Sequence, residues 1–267
     1  MIPILYESQY ISLQTLWVFV AIALLSCSYL AVQRLKRAHV NFTLFIEHSV
    51  TFFLCALILS RIFYFGLHTD AYLPGFDLRT VWNFFSIWDQ GFSFWGAFIG
   101  FLIALLYRLY KSEENAWKWL DALIVPVIVG MGIGSVGTFF GGYSYGRPTD
   151  LFWSVRYEVY NVKYTVPVHP VQLYALLFFI AVLVSKRWLS KKTDFFNREG
   201  NSTFYYAALL SFGLFILEFF RGDDTLLIQG IRLSTFFYAF FSLLSAYFLY
   251  KRIRQAESSK THPHEST

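Results

Sequence analysis

Arg147 is well suited to hold a phosphate. It lies in GlyArgProThr (146 to 149), just after Gly141 and Gly142, where glycine and proline break a long apolar run. Backbone freed at that depth is tolerated only against protein or water. A guanidinium held there can make two parallel bonds to phosphate oxygens; reaching from the apolar layer into the interface is the competing role. Arg61 and Glu218 fall inside other apolar runs, where a central charge costs roughly 2.5 to 3.5 kcal/mol on insertion scales. Each therefore needs a partner or a function, and Arg61, Arg147 and Arg221 are the cations that can pair with Glu218. His169 opens a further run, one residue before Pro170. Its imidazole titrates near neutrality, so it suits acid–base work as well as plain hydrogen bonding.

The elements that must position these groups are membrane spans. A chain of 267 residues that is 56% hydrophobic, 21% aromatic and only 15% charged is too apolar for an ordinary soluble domain. A spanning helix needs about 20 mainly apolar residues. Seven runs qualify, near 13 to 32, 48 to 66, 92 to 110, 120 to 141, 170 to 186, 203 to 220 and 233 to 250. No basic segment precedes the first and no cleavage site follows it closely, so that helix is expected to be retained. The fold class expected is an all-α membrane protein of seven transmembrane helices.

The net charge of +5 would suit nucleic acid, but its distribution does not. Basic residues gather at 33 to 37, at Arg108 and Lys111, at 185 to 192 and at 251 to 254, which are alternate loops and the C-terminal flank. Glu7, Asp70, Asp77, Asp89, Asp150, Glu158, Asp223 and Asp224 occupy the other side. This is the positive-inside pattern, which sets the N-terminus outside and the C-terminus in the cytoplasm, and excludes nucleic acid as a partner. Cys27 and Cys55 fall inside spans as small apolar residues, and neither a metal site nor a cofactor is expected.

Residues 1 to 254 read as one polytopic domain. Segment 143 to 168 alternates apolar and polar residues from Leu151 to Val166, which predicts a short hairpin or small β cap over the outer helix ends. Residues 255 to 267 have no apolar period and are expected to be a disordered cytoplasmic tail. The run GlyMetGlyIleGlySerValGly (130 to 137) permits close helix packing.

These pieces together resemble the prolipoprotein diacylglyceryl transferase family. ArgIlePheTyr (61 to 64), TrpAspGlnGlyPheSerPheTrpGlyAlaPheIleGly (88 to 100), AspAlaLeuIleValPro (121 to 126), GlyArgProThr, HisProValGlnLeuTyr (169 to 174) and GluPhePheArg (218 to 221) follow the family order. The resemblance implies a multi-pass enzyme of the bacterial inner membrane. Such an enzyme moves a diacylglyceryl group from phosphatidylglycerol to the lipobox cysteine thiol of a preprolipoprotein, in lipoprotein biosynthesis. Its partners would be phosphatidylglycerol or another anionic phospholipid and the preprolipoprotein signal peptide. It implies Arg61, Arg147 and Arg221 on lipid phosphate, Gly96, Gly146, Gln172 and Glu218 supporting the site, and His169 and Tyr174 as candidate catalytic groups. The chain departs from the family at four polar positions: the usual histidine falls on Trp95, the arginines on Ser135 and Leu214, and the asparagine on Thr138. A lost general base costs roughly 10² to 10⁴ in rate. Two readings follow, a divergent transferase with His169 or Tyr174 in place of the lost base, and a catalytically inactive paralogue that binds lipid or a partner.

Overall fold

The computed structural model describes residues 3 to 8, 12 to 68, 82, 84 to 85, 91 to 159 and 162 to 261. Asp70, Asp77, Asp89 and the rest of 69 to 81 and 86 to 90 lie outside the described residues, as do 160, 161 and 262 to 267. A short antiparallel hairpin, β1 (Ile4–Glu7) and β2 (Ser12–Gln14), leads into α1 (Thr15–Arg37). There follow α2 (Thr43–Glu47), α3 (Ser49–Leu67), α4 (Phe94–Lys111), α5 (Ala116–Gly141), α6 (Val171–Leu189), a 3-10 turn (Asp194–Asn197) and α7 (Asn201–Glu218). A second hairpin, β3 (Leu227–Ile228) and β4 (Ile231–Arg232), precedes α8 (Leu233–Thr261).

Six helices, α1, α3, α4, α5, α6 and the Leu233–Gln255 part of α8, are long and apolar enough to cross a membrane. Their outward faces carry large bare side chains such as Leu25, Leu177 and Leu243, which lipid and not water would cover. The seventh expected run forms α7, whose first turn is Asn201, Ser202 and Thr203 and whose middle holds Ser211; these polar positions keep it out of that set of six. The last helix runs through Thr261, and residues 262 to 267 of the expected tail lie outside the described residues.

The chain divides into two compact units, Met1–Arg34 with Trp117–Thr267, and Leu35–Ala116. In the larger unit Val125 and Ile128 of α5, Phe179 and Val182 of α6, and Tyr206 and Leu210 of α7 form a buried cluster. The small-residue run of α5 seats α1: a side chain on Gly137 would meet the Phe19 Cβ at 2.5 Å, and one on Gly130 would strike the Cys27 Sγ. Close backbone approach of this kind, more than apolar burial, holds helices together in lipid. At the opposite end of α7 from Glu218, Asp121 of α5 caps the helix, accepting from the backbone N–H groups of Gly200 and Thr203, both at 2.7 Å. It thereby supplies across the fold the carboxylate that usually comes from the N-cap residue itself.

In the smaller unit α3 and α4 cross at Gly96 and Gly100, where added side chains would collide with the Leu59 and Cys55 carbonyls. The Ser60 hydroxyl and the Ser93 N–H tie the same crossing, at 2.9 and 3.2 Å. Ser93 also caps α4, accepting from the Gly96 N–H at 3.4 Å.

The 143 to 168 segment forms no strand among its described residues. Single bridges join Pro148 and Val155 to Val168, because Pro148 and Pro167 lack the N–H that would extend a ladder. It is held instead by a small core of Tyr145, Tyr157 and Val168, with Phe139, Val155 and Val162 against it.

Candidate active site

Three backbone segments meet beyond the ends of α5 and α7 and the start of α6. The Gly146 N–H donates to the His169 carbonyl at 3.0 Å, the His169 N–H to the Arg147 carbonyl at 3.0 Å, and the Arg147 N–H to the Phe220 carbonyl at 2.9 Å. The Gly222 N–H returns to the Tyr145 carbonyl at 2.9 Å. Glycine is required at both crossings: a Cβ on Gly146 would sit 2.5 Å from the His169 Cβ and carbonyl oxygen, and one on Gly222 2.5 Å from the Gly146 oxygen. Positions 146 and 221 are thus directly paired, and Arg147, His169 and Arg221 share one edge.

The three arginines read from the sequence as phosphate ligands occupy different environments. Arg147 is exposed; its Nε donates to the Arg221 carbonyl at 3.2 Å, and among the described residues its two Nη groups have no partner. Arg221 is consumed: its Nη1 binds Glu218 Oε1 at 2.8 Å, while its Nε and Nη2 grip both oxygens of Asp223 at 3.0 and 2.6 Å. Arg232 closes the cluster through Glu218 Oε2 at 2.8 Å, Asp223 Oδ1 at 2.9 Å and the Asp223 carbonyl at 2.8 Å. Two guanidinium groups and two carboxylates sum to zero charge. Burial alone would weaken the hold of Arg221 on its proton, but Asp223 and then Glu218 more than reverse that, so it stays cationic. Arg61 lies in the other unit, 3% exposed. Its Nη1 donates to the Gly91 carbonyl at 2.9 Å and its plane lies over the Phe65 and Phe92 rings. Gly91 has φ +140 and no room for a side chain against Arg61 and Tyr64.

The sequence reading missed Arg232 and the central part played by Asp223. A two-residue turn at Gln229 and Gly230, both with positive φ, folds β4 back so that Arg232 returns to Asp223. The available signal was an arginine at the head of an apolar helix, two residues after a Gln229–Gly230 turn.

His169 is half-buried, with its Nδ1 3.1 Å from the Tyr174 hydroxyl; that hydroxyl accepts from the Trp153 Nε1–H at 2.6 Å. The Phe220 ring stands edge-on to the imidazole at 5.5 Å. Burial lowers the proton affinity of His169, which favours the neutral ring. Gln172, buried, supports the arrangement by donating to the Tyr143 carbonyl at 2.6 Å and accepting from Tyr157 at 3.2 Å. Burial pushes the Tyr157 hydroxyl up to about 12, so it serves as a donor and not as an acid.

The departures from the family pattern point into the fold. Ser135 donates to the Met131 carbonyl and Thr138 to the Ser135 carbonyl, both at 2.9 Å, so each hydroxyl is spent on its own helix. Leu214 packs on the buried helix cluster. Trp95 and Gly96 lie on the first turn of α4 in the other unit.

The chain is thus an all-α polytopic membrane protein that gathers an open arginine, a half-buried histidine and a neutralised ion quartet beyond its helix ends. A family model for prolipoprotein diacylglyceryl transferase matches residues 3 to 251, and the chain belongs to that family. Its relatives named phosphatidylglycerol–prolipoprotein diacylglyceryl transferase include the Polynucleobacter necessarius protein, 33% identical over 171 residues, 62% of each chain. The Prochlorococcus marinus protein is 35% identical over 158 residues, 56% of this chain and 52% of that one. The Thermosynechococcus vestitus protein is 25% identical over 228 residues, 83% and 82% of the two chains. The chain thus spans 62% and 52% of the first two relatives.

Proposed function

We propose that this protein transfers a diacylglyceryl group from phosphatidylglycerol, or another anionic phospholipid, to the cysteine thiol of a preprolipoprotein lipobox. The observation that carries this reading is Arg147, whose Nη groups are open among the described residues and whose backbone is bonded to His169. Arg147 takes the lipid phosphate, and the His169–Tyr174 pair stands beside it as a hydrogen-bonding group. The sulfur–carbon bond forms as the carbon–oxygen bond of the diacylglyceryl group breaks. The electron pair leaves on the phosphate, and the thiol proton is released to the departing glycerol phosphate. Arg221 and Arg61 act indirectly, Arg221 by fixing the edge that presents Arg147, and Arg61 by fixing the approach to α4.

In this reading the chain crosses the bacterial inner membrane seven times. It includes α7, which packs against both α6 and α8. The N-terminus and the site lie outside and the C-terminus in the cytoplasm, as the basic loops require. The test is thioether formation on a lipobox peptide by purified protein with labelled phosphatidylglycerol. Product is expected, with loss in Arg147→Ala; no product beside a working family enzyme rejects transfer.

A second reading, a non-catalytic lipid-binding or partner-binding member, is favoured by Ser135, Thr138 and Leu214, all turned to structural contacts. It requires phosphatidylglycerol binding that depends on Arg147 with no thioether formed.

A further inference from the structure

Trp153, Tyr174 and His169 form a chain whose first link has a fixed direction. An indole N–H can only donate, and that of Trp153 lies 2.6 Å from the Tyr174 oxygen. The oxygen thus accepts on one side, and its own hydrogen is available to the next partner, His169 Nδ1 at 3.1 Å. A hydroxyl that accepts one bond donates the next more strongly, because bonds in series polarise one another. The reverse arrangement would aim two donors at one phenol oxygen and turn its hydrogen away from both. With Nδ1 accepting, a neutral imidazole carries its hydrogen on Nε2.

We infer that Trp153 is a positioning residue, acting through Tyr174 to hold His169 as the Nε2–H tautomer, so that His169 offers a hydrogen-bond donor to a phosphate oxygen and is not the base for the thiol. This rests on the proposed transfer from an anionic phospholipid and sharpens it. Arg147 supplies charge and His169 an N–H to the same anion, while the thiol proton ends on the departing phosphate and His169 keeps its own.

Nitrogen NMR on ¹⁵N-histidine-labelled full-length protein in lipid nanodiscs reads the tautomer directly. The chain has 6 histidines, and the His169 signals are those missing from His169→Gln. Native protein is expected to show a protonated Nε2 and a bare Nδ1. Trp153→Phe, which keeps an aromatic ring but removes the donor, should move the population several-fold toward Nδ1–H; Tyr174→Phe should do the same by a different deletion. A native Nδ1–H tautomer, or a population unmoved in both variants, overturns the proposal. Where turnover is measurable, His169→Gln, whose amide can place an N–H near the lost Nε2–H, should stay within about tenfold of native while His169→Ala falls by more, on the order of 10². Equal loss in both overturns the donor role. Absence of turnover in the native protein rejects transfer, and the NMR result still decides the tautomer.

Discussion

Arg147 and Arg221 hang on the same backbone ladder and meet opposite fates. Arg221, with its neighbour Arg232, is enclosed by Glu218 and Asp223, whereas Arg147 keeps its Nη groups open at the surface. A cation can be buried only if it is paired and hydrogen-bonded, and once so paired it has little left for an incoming phosphate. The paired arginines are therefore the frame, and the exposed one keeps its Nη groups open for the ligand role proposed above. Arg61, buried in the smaller unit, is likewise held, by the Gly91 carbonyl and over the Phe65 and Phe92 rings.

The largest way to break this contrast is Glu218→Gln. It strips a carboxylate from a buried quartet and should destabilise the larger unit by about 3 to 5 kcal/mol, read as a drop in melting temperature in detergent. If melting does not change, the quartet is not the frame. Gly146→Ala should come next, at about 1 to 3 kcal/mol, because the new methyl overpacks against His169; it should disturb Arg147 and Arg221 together. Arg147→Ala sharpens the contrast from the other side. It should leave melting within about 0.5 kcal/mol while weakening phosphatidylglycerol binding by about 1.5 to 3 kcal/mol, as expected for hydrogen bonds to a charged group. Equal loss of stability would make Arg147 another frame residue.

Lys163 and Asp224 form an exposed pair at 2.5 Å, with side chains 42% and 83% accessible. Although Asp224 holds the Lys163 ammonium above its usual range, solvent screening limits the pair, and Lys163→Ala should cost at most about 1 kcal/mol. The smallest effect concerns His169. Its folded-state pKa is lowered by burial from 6.5, so below that value the unfolded chain binds more protons and stability falls with pH. Native melting should drop more than that of His169→Gln on acidification through this range; parallel curves would mean that His169 does not titrate there.

Much of the fold was readable from the chain. The apolar runs that became α1, α3, α4, α5, α6 and α8 announce themselves by length, since backbone in lipid must be satisfied within one helix. The Gly130 to Gly137 run signalled close packing, and the structure seats α1 at Gly130 and Gly137. The cap was misread as strands because alternation does not register the donors missing at Pro148 and Pro167.

In the site, residue type identified Arg147, His169 and Glu218, and a buried charge had to find a partner among the arginines. Which arginine it would find was not readable. The partition between Arg221, Arg232 and Arg147 depends on a two-residue turn at Gln229 and Gly230 and on two glycine crossings that put segments 146, 169 and 221 in contact. Local chemistry follows from the side chain, so the sequence alone determined the membrane helices and the list of groups able to bind an anion. Pairing depends on distances between segments far apart in the chain, so only the tertiary structure decided that Glu218 and Asp223 would neutralise Arg221 and Arg232 and leave Arg147 open.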